Sequence, residues 1–291
     1  MRYGAFVTPS GQVRIERGPV SMTLAAWEGA SPNPKACLRA ASRVDGLLRD
    51  IVSQPSLRKP WPETDPRTLY GVGLVMWRAA RDAGHGTMTP MSAVAGAIAD
   101  DLTETVAALL DAGRPAKVLA NNGGDIALYL RRGASAVVGL LPALEAGAVD
   151  EILTVSERHA ARGVATSGLG GRGLTQGIAD AVTAFAATSA QADALATRLC
   201  NASFVDAPQV RRILAGRLRP GCDIESLPVT LEVGRLSPET IEHSFEHVRE
   251  VALPLMARGI LHGLRVVIQG RRRWLGAQGW RASPPRLPVR A

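Results

Sequence analysis

The chain has 291 residues, of which 46% are hydrophobic and 21% charged, a balance that excludes an extended disordered protein and permits a large buried core. Its net charge of +8 is concentrated at one end, because residues 271–291 carry six arginines and no acid, and removing those six from +8 leaves +2. A basic tail is therefore present rather than a basic domain, and a solvated, partly disordered terminus is preferred over charge-driven contact with nucleic acid or anionic lipid.

Aromatic residues make up 4% of the chain, so the core must consist mostly of Ala, Val, Leu and Ile. Cys37, Cys200 and Cys222 are odd in number and have no CxxC spacing, which argues against a disulfide framework and a cysteine zinc site. The first residues lack an uninterrupted apolar stretch of the kind a signal peptide needs, and no window reaches 18 uncharged apolar residues. A cytoplasmic protein with no membrane span is expected.

Alternation over residues 3–28, interrupted by Pro-Ser-Gly and Arg-Gly-Pro, predicts two or three short strands. Between 34 and 53, Ala36, Cys37, Leu38, Ala41, Val44, Leu47, Leu48, Ile51 and Val52 recur at three- and four-residue spacing and predict an amphipathic helix. Four prolines in SQPSLRKPWPETDP make the next stretch a loop, after which a helix is expected from about 67 to 83, stopped by Gly84. A further helix begins at Pro90 or Ser92 and ends by Gly113, and its run of small residues permits close approach of another element.

AKVLA reads as a strand that IALYL continues or pairs with, SAVVGLL and EILTVSE as further strands, and ALEAGAVDEI between them as a candidate short helix. Residues 174–203 read as helix with a candidate strand through VTAFAA. VTLEV is a strand, Ser237-Pro238-Glu239 opens a helix to about Ala257, and GLRVVIQG closes as a strand. Strands at both ends with helices interspersed give an α+β class, with a single domain over 1–270 and a flexible Arg/Pro-rich tail over 271–291.

Several segments carry chemistry. In ANNGGD, Asn121, Asn122, Gly123, Gly124 and Asp125 either form a hairpin turn or present backbone amides to a ligand at short range. VATSGLGGRG offers the hydroxyls of Thr166 and Ser167, free backbone at Gly168, and a phosphate- or carboxylate-pairing cation in Arg172. It resembles a phosphate cradle in chemistry without the GxxxxGK pattern, and a flexible linker is the alternative. Asp193 and Thr197 are four apart, so on a helix their oxygens share a face and suit Mg²⁺; a helix-capping Asp193 is the alternative. His243 to His247 match HxxEH, used by one group of zinc peptidases, but sit on a charged helix whose glutamates line a solvated face.

The order GGD (123–125), ATSG (165–168) and ADALAT (192–197) resembles the ApbE-like superfamily, whose best-known members are FAD:protein FMN transferases. PMSAVAGAIAD (90–100), SGLGGRG and GIADAVT are similar to an uncharacterised cytoplasmic branch of it. The resemblance implies an α+β fold related to the T-fold, FAD across the glycine-rich segments, and Mg²⁺ at its diphosphate. Carried over, Asp193 and Thr197 hold the metal, Asp180 and Asp193 are the catalytic candidates, and residues 121–125 with Thr166, Ser167, Gly168 and Arg172 bind the cofactor.

Two departures accompany the resemblance. Transferases commonly have Lys-Gly where this chain has Ala95-Gly96, and His-Ile-Ile-Asp where it has Gly177-Ile178-Ala179-Asp180. Losing a general acid or base typically costs ~10² to 10⁴ in rate. The resulting expectation is a Mg²⁺-assisted enzyme acting on FAD or another phosphate-bearing small molecule, with a protein hydroxyl or water as acceptor. A non-catalytic flavin or metabolite carrier, or an assembly protein for a redox enzyme, is the alternative.

Overall fold

Three antiparallel strands open the chain, β1 (Gly4–Val7), β2 (Val13–Arg17) and β3 (Val20–Glu28), as the alternation requires; β3 also pairs with the short β4 (Ser31–Pro32). The computed structural model describes residues 4–141, 149–276 and 282–283. The expected helix over 34–53 is two helices, α1 (Pro34–Ala41) and α2 (Val44–Val52). The break falls where the Ser42 hydroxyl turns onto the Arg39 carbonyl and Arg43 pairs with Asp101 at 2.9 Å, so tertiary and local bonds override the periodicity.

Helix α3 (Gly71–Ala83) starts later than expected because Pro66–Thr68 forms a 3₁₀ turn capped by Asp65, and it stops at a left-handed Gly84. A second 3₁₀ turn, Pro90–Ala93, leads into α4 (Val94–Ala108). The strands β5 (Ala116–Asn122), β6 (Asp125–Arg131), β7 (Ser135–Leu140), β8 (Glu151–Ser156), β9 (Gly163–Ser167) and β10 (Ala181–Ala186) follow. The candidate helix in ALEAGAVDEI lies largely outside the described residues, and its last two residues belong to β8.

The Ala-rich stretch 174–203 divides: VTAFAA is strand β10, and the helix α5 is confined to Ser189–Ala202, capped by the Thr188 hydroxyl on Gln191 N–H. Then come β11 (Val210–Leu214), the short α6 (Ala215–Leu218), β12 (Pro228–Val233), α7 (Pro238–Ala257), β13 (Gly263–Ile268), β14 (Arg271–Leu275) and β15 (Ala282–Ser283). The expectation of a tail beginning at 271 is corrected here: Arg271–Leu275 is a strand in register with β13, and 282–283 pair with β8. The rest of the expected tail lies outside the described residues.

Among the described residues the main sheet has ten strands, all neighbours antiparallel, in the order β1-β2-β3-β5-β6-β9-β10-β13-β14 with β4 on β3. The helices pack on one face over a large core that includes Met22, Leu24, Leu102, Leu195 and Leu199. The small sheet β15-β8-β7 covers the other face over a second core of Leu128, Val138, Leu153, Val164 and Phe185. Strands β10 and β13 are accordingly buried at every residue. Within β13 the buried Arg265 pairs with Asp150 at 2.6 Å and with Glu151, tying the small sheet to the large one.

Helix α5 is held by backbone contact. A Cβ at Gly163 of β9 would lie 2.0 Å from the Thr188 carbonyl oxygen, and one at Gly96 of α4 would lie 2.3 Å from that of Ser189. Nothing in a strand or a helix can yield that much space, so we expect Gly163→Ala to destabilise by about 3 kcal/mol or more. Gly46→Ala, on α2 with open space around it, should instead stabilise by ~0.5–1 kcal/mol through helix propensity alone. Urea denaturation of the two variants checks both signs.

Candidate functional site

Gly123 and Gly124 form the two-residue turn of the β5–β6 hairpin, with Asn122 opposite Asp125 and φ of +71° and +116° at the glycines. Both angles lie where only glycine sits comfortably, and such a turn matches the twist of the paired strands. The Asn121 carboxamide oxygen accepts the Gly124 N–H at 2.9 Å, fixing the turn from within. The segment is thus a hairpin turn, and it also lines a cavity.

That cavity has a volume of about 380 Å³. It gathers Gly123 and Asp125 from the hairpin, Thr166, Ser167, Gly168 and Arg172 from the end of β9 and its following loop, and Asp193 and Thr197 from α5. Three segments far apart in sequence therefore meet around one space. A smaller, more apolar cavity of about 120 Å³ lies between the turn and β7, and an open groove of about 500 Å³ reaches Arg14, Ser21 and Thr23. All three spaces share Gly123 and Arg172, so an extended ligand could cross the turn from one to another.

Asn121 and Gly124 line the smaller cavity and the groove but not the main cavity. Asn122 lines none of these spaces: it is buried, and its amide donates to the Ala95 carbonyl at 3.1 Å, which ties the hairpin to the start of α4. Asp180 borders only the smaller cavity, and the N–H groups of Gln269 and Gly270, at the β13–β14 turn, bond its carboxylate. Its position is that of a brace for that turn, and burial still raises its carboxyl above the ordinary range.

Asp193 is also a cap, though not of its own helix. Its Oδ2 accepts the Gly96 N–H at 3.0 Å in the first turn of α4, with the Ala95 N–H contributing. Asp100 of α4 returns the arrangement by accepting Ser189 N–H at 2.9 Å and Ala190 N–H at 2.8 Å in the first turn of α5. Each helix thus supplies a carboxylate to the positive end of the other. Burial pushes Asp193 up to about 7 and Asp100 up to about 6, against the opposing pull of these backbone donors. Asp125 is raised well above the ordinary carboxyl range, first by burial and then by the charge of Asp193.

Among the described residues neither Asp125 nor Asp193 has an ion-pair partner. Two carboxylates beside a threonine hydroxyl form an all-oxygen donor set of the kind hard divalent cations prefer. No cluster of three or more His, Cys, Asp or Glu with metal-holding geometry occurs among the described residues, so a cation here would draw on Thr197 and backbone oxygens as well. The HxxEH stretch forms no such cluster: His243 and Glu246 are exposed, and His247 bonds the Phe204 carbonyl through Nδ1.

Two further segments form walls of the main cavity, and the second of them had no signal in the sequence. Thr87 to Ala95 enters through the 3₁₀ turn ahead of α4, and Arg219 to Leu227 enters between α6 and β12. The second is anchored from several sides. Thr89 donates to Asp223, Arg58 to the Gly221 carbonyl, and Arg219 Nη2 to the Arg172 carbonyl at 3.1 Å. These residues have no mutual spacing that sequence could reveal, because they are assembled by the fold.

The glycine departure also has a structural basis. A Cβ at Gly177 would lie 1.8 Å from the Cys200 carbonyl oxygen, so the backbone there is pressed against the end of α5 and no side chain fits.

A hairpin bearing GGD, a strand end bearing ATSG and a helix bearing ADALAT around one cavity define an ApbE-like protein. A family model described as AbpE bacteria matches residues 5–274, and the chain belongs to that family. It is 36% identical over 204 residues to a UPF0280 protein of Methanopyrus kandleri, covering 69% of this chain and 76% of that one. It is also 36% identical over 140 residues to a UPF0280 protein of Methanoregula boonei, covering 48% of this chain and 54% of that one. The crystal structure of the ApbE protein of Thermotoga maritima aligns with 90% of this chain and 96% of its own at 13% identity, with a TM-score of 0.47. No helix among the described residues is long and apolar enough to cross a membrane.

The raised carboxyls give stability a definite pH dependence. Unfolded aspartates titrate near about 4, whereas folded Asp193 and Asp100 do so at about 7 and about 6. Between those values the folded state holds protons that the unfolded state has released, so stability falls as pH rises through this window. With chelator present, denaturation midpoints should decline from pH 4 toward 7. Asp193→Asn keeps an acceptor for Gly96 N–H and should flatten that decline, leaving the variant more stable than the parent at pH 8.

Proposed function

We propose that this protein binds FAD, or another small molecule containing a diphosphate, together with Mg²⁺ in the main cavity. The observation that carries the reading is the meeting of two unpaired carboxylates, Asp125 and Asp193, with the hydroxyls of Thr197 and Ser167 and the guanidinium of Arg172 around one space. Asp193 and Thr197 would hold the metal with Asp125 facing it, and the Gly123 turn would lie under the diphosphate. Mg²⁺, when bound, supplies neutralisation of charge on the phosphate oxygens. The remaining groups bind and orient: Ser167 and Thr166 offer hydroxyls, and Arg172 offers paired N–H donors to a phosphate.

The reaction consistent with this arrangement is displacement at the diphosphate of FAD. A hydroxyl of a protein acceptor, or of water, forms a new bond to the FMN phosphorus. The anhydride bond breaks, AMP leaves with the bridging oxygen, and the hydroxyl proton is released. With Asp193 engaged by the metal and by the Gly96 N–H, Asp125 is the candidate acceptor of that proton.

Gly177 and Ala95 favour a second reading. Where the transferases have His and Lys, this chain has a backbone contact with no room for a side chain and a methyl group. A carrier of flavin, or an assembly protein for a redox enzyme, needs the cavity without those groups.

Titration calorimetry with FAD should give binding that depends on Mg²⁺ and is abolished by chelator; absence of binding under both conditions overturns the reading. Asp193→Asn preserves the cap on α4 and should remove the Mg²⁺ dependence, and Thr197→Val should weaken it by about tenfold. Following AMP and FMN release from FAD separates the two readings, because a carrier gives no turnover.

A further inference from the structure

The main cavity is lined by charges of both signs, Asp223 among them. Asp125 and Asp193 lie on the hairpin and α5, whereas Arg172 and Arg219 enter from two loops, and all four line the same space. Among the described residues neither arginine has an ion-pair partner within 4 Å, and the charge of Arg172 reaches the Glu16 carboxylate and helps to lower it. Arg172 lies against the hairpin turn, its Nη1 being 3.7 Å from where a Cβ on Gly123 would stand. Arg219 is drawn toward it by its Nη2 bond to the Arg172 carbonyl at 3.1 Å.

Both guanidinium groups line one cavity, where an anion placed between them would be attracted to each. The segment carrying Arg219 cannot simply swing away. It is fastened by Thr89 to Asp223 and by Arg58 to the Gly221 carbonyl, and it is braced internally by the Gly221 N–H on the Glu225 carboxylate. Its two ends are joined by Ala215 N–H to the Leu227 carbonyl at 2.9 Å. Asp223, on this segment and in the wall of the same cavity, accepts the Thr89 hydroxyl through Oδ2 and forms no ion pair with either arginine among the described residues.

We propose that Arg219 is a ligand-contacting, specificity-determining residue: with Arg172 it forms a two-arginine clamp that selects ligands by their diphosphate. Guanidinium groups match phosphate oxygens with paired donors, and two of them on one diphosphate recognise the second phosphate as well as the first. Asp125 and Asp193 take the cation that accompanies the diphosphate. The inference rests on the diphosphate reading above but not on the flavin.

The test compares the parent with Arg219→Gln and Arg219→Lys, using FAD and inorganic pyrophosphate as separate probes, each with Mg²⁺. The glutamine variant should bind both probes about tenfold or more weakly, with partial recovery in the lysine variant and an unchanged denaturation midpoint. The salt dependence of pyrophosphate binding should also become shallower, because one cation has been removed from the contact. Unchanged affinity for pyrophosphate in Arg219→Gln overturns the clamp, and so does a loss confined to FAD, which would mark Arg219 as a loop tether only. If the parent binds pyrophosphate but not FAD, the flavin reading fails and the clamp is judged on pyrophosphate alone. Failure of the parent to bind either probe overturns both.

Discussion

The structure depends on how closely other backbones approach helix α5. Gly163 of β9 meets it at Thr188, Gly96 of α4 at Ser189, and Gly177 at Cys200, and none of these positions has room for a Cβ. The contacts act at both ends of the helix, so its axial position is fixed by hard atoms rather than by side chains that could repack. Asp193 and Thr197 project from the span between those contacts. A helix free to slide by even one ångström would not keep both in the wall formed by Gly123 and Ser167, and geometry of that kind is what binding of a small ion demands.

Close approach also creates the electrostatics. Because α4 and α5 touch at Gly96, the first turn of each falls within reach of a carboxylate on the other. Asp100 spends both oxygens on the N–H groups of Ser189 and Ala190, whereas the firm bond to Asp193 engages Oδ2 alone. The two aspartates therefore divide the work: one is a structural cap, and the other is a cap with capacity to spare toward the cavity. Placing Asp125 beside Asp193 adds repulsion that no ion pair among the described residues relieves, a cost in stability set by the close packing of the hairpin and α5.

Much of this was legible in the sequence where the signal was local. The strands of residues 3–28, the stop at Gly84 and the start at Ser237 rest on turn and cap chemistry that a few neighbouring residues decide. The small residues of α4 lie against α5, as their run suggested, and residues of GGD, ATSG and ADALAT line one cavity. Other features depend on partners distant in the chain. VTAFAA is a strand because β9 and β13 flank it, and Arg271–Leu275 leaves the basic tail because β13 offers an open edge. Asn122 read as a ligand contact, but the start of α4 supplies a carbonyl that captures it. Arg219 carries no motif at all, and only the folded path of residues 215–227 brings it beside Arg172.

The departures at Ala95 and Gly177 have different meanings. Ala95 is partly exposed and lines the cavity, so a longer side chain there is a matter of ligand contact. Gly177 is buried against the Cys200 carbonyl, and the adjoining backbone is bound by the Ser203 hydroxyl, which accepts the N–H groups of Ile178 and Ala179. A histidine at that position would require the end of α5 to move, not merely a change of residue. The same α5 carries Asp193 and Thr197, so its placement near the other wall residues and the absence of a side chain at 177 are parts of one packing solution. At position 177 the contact with the Cys200 carbonyl thus excludes a side chain of any kind, whereas position 95 is limited only by the space of the cavity.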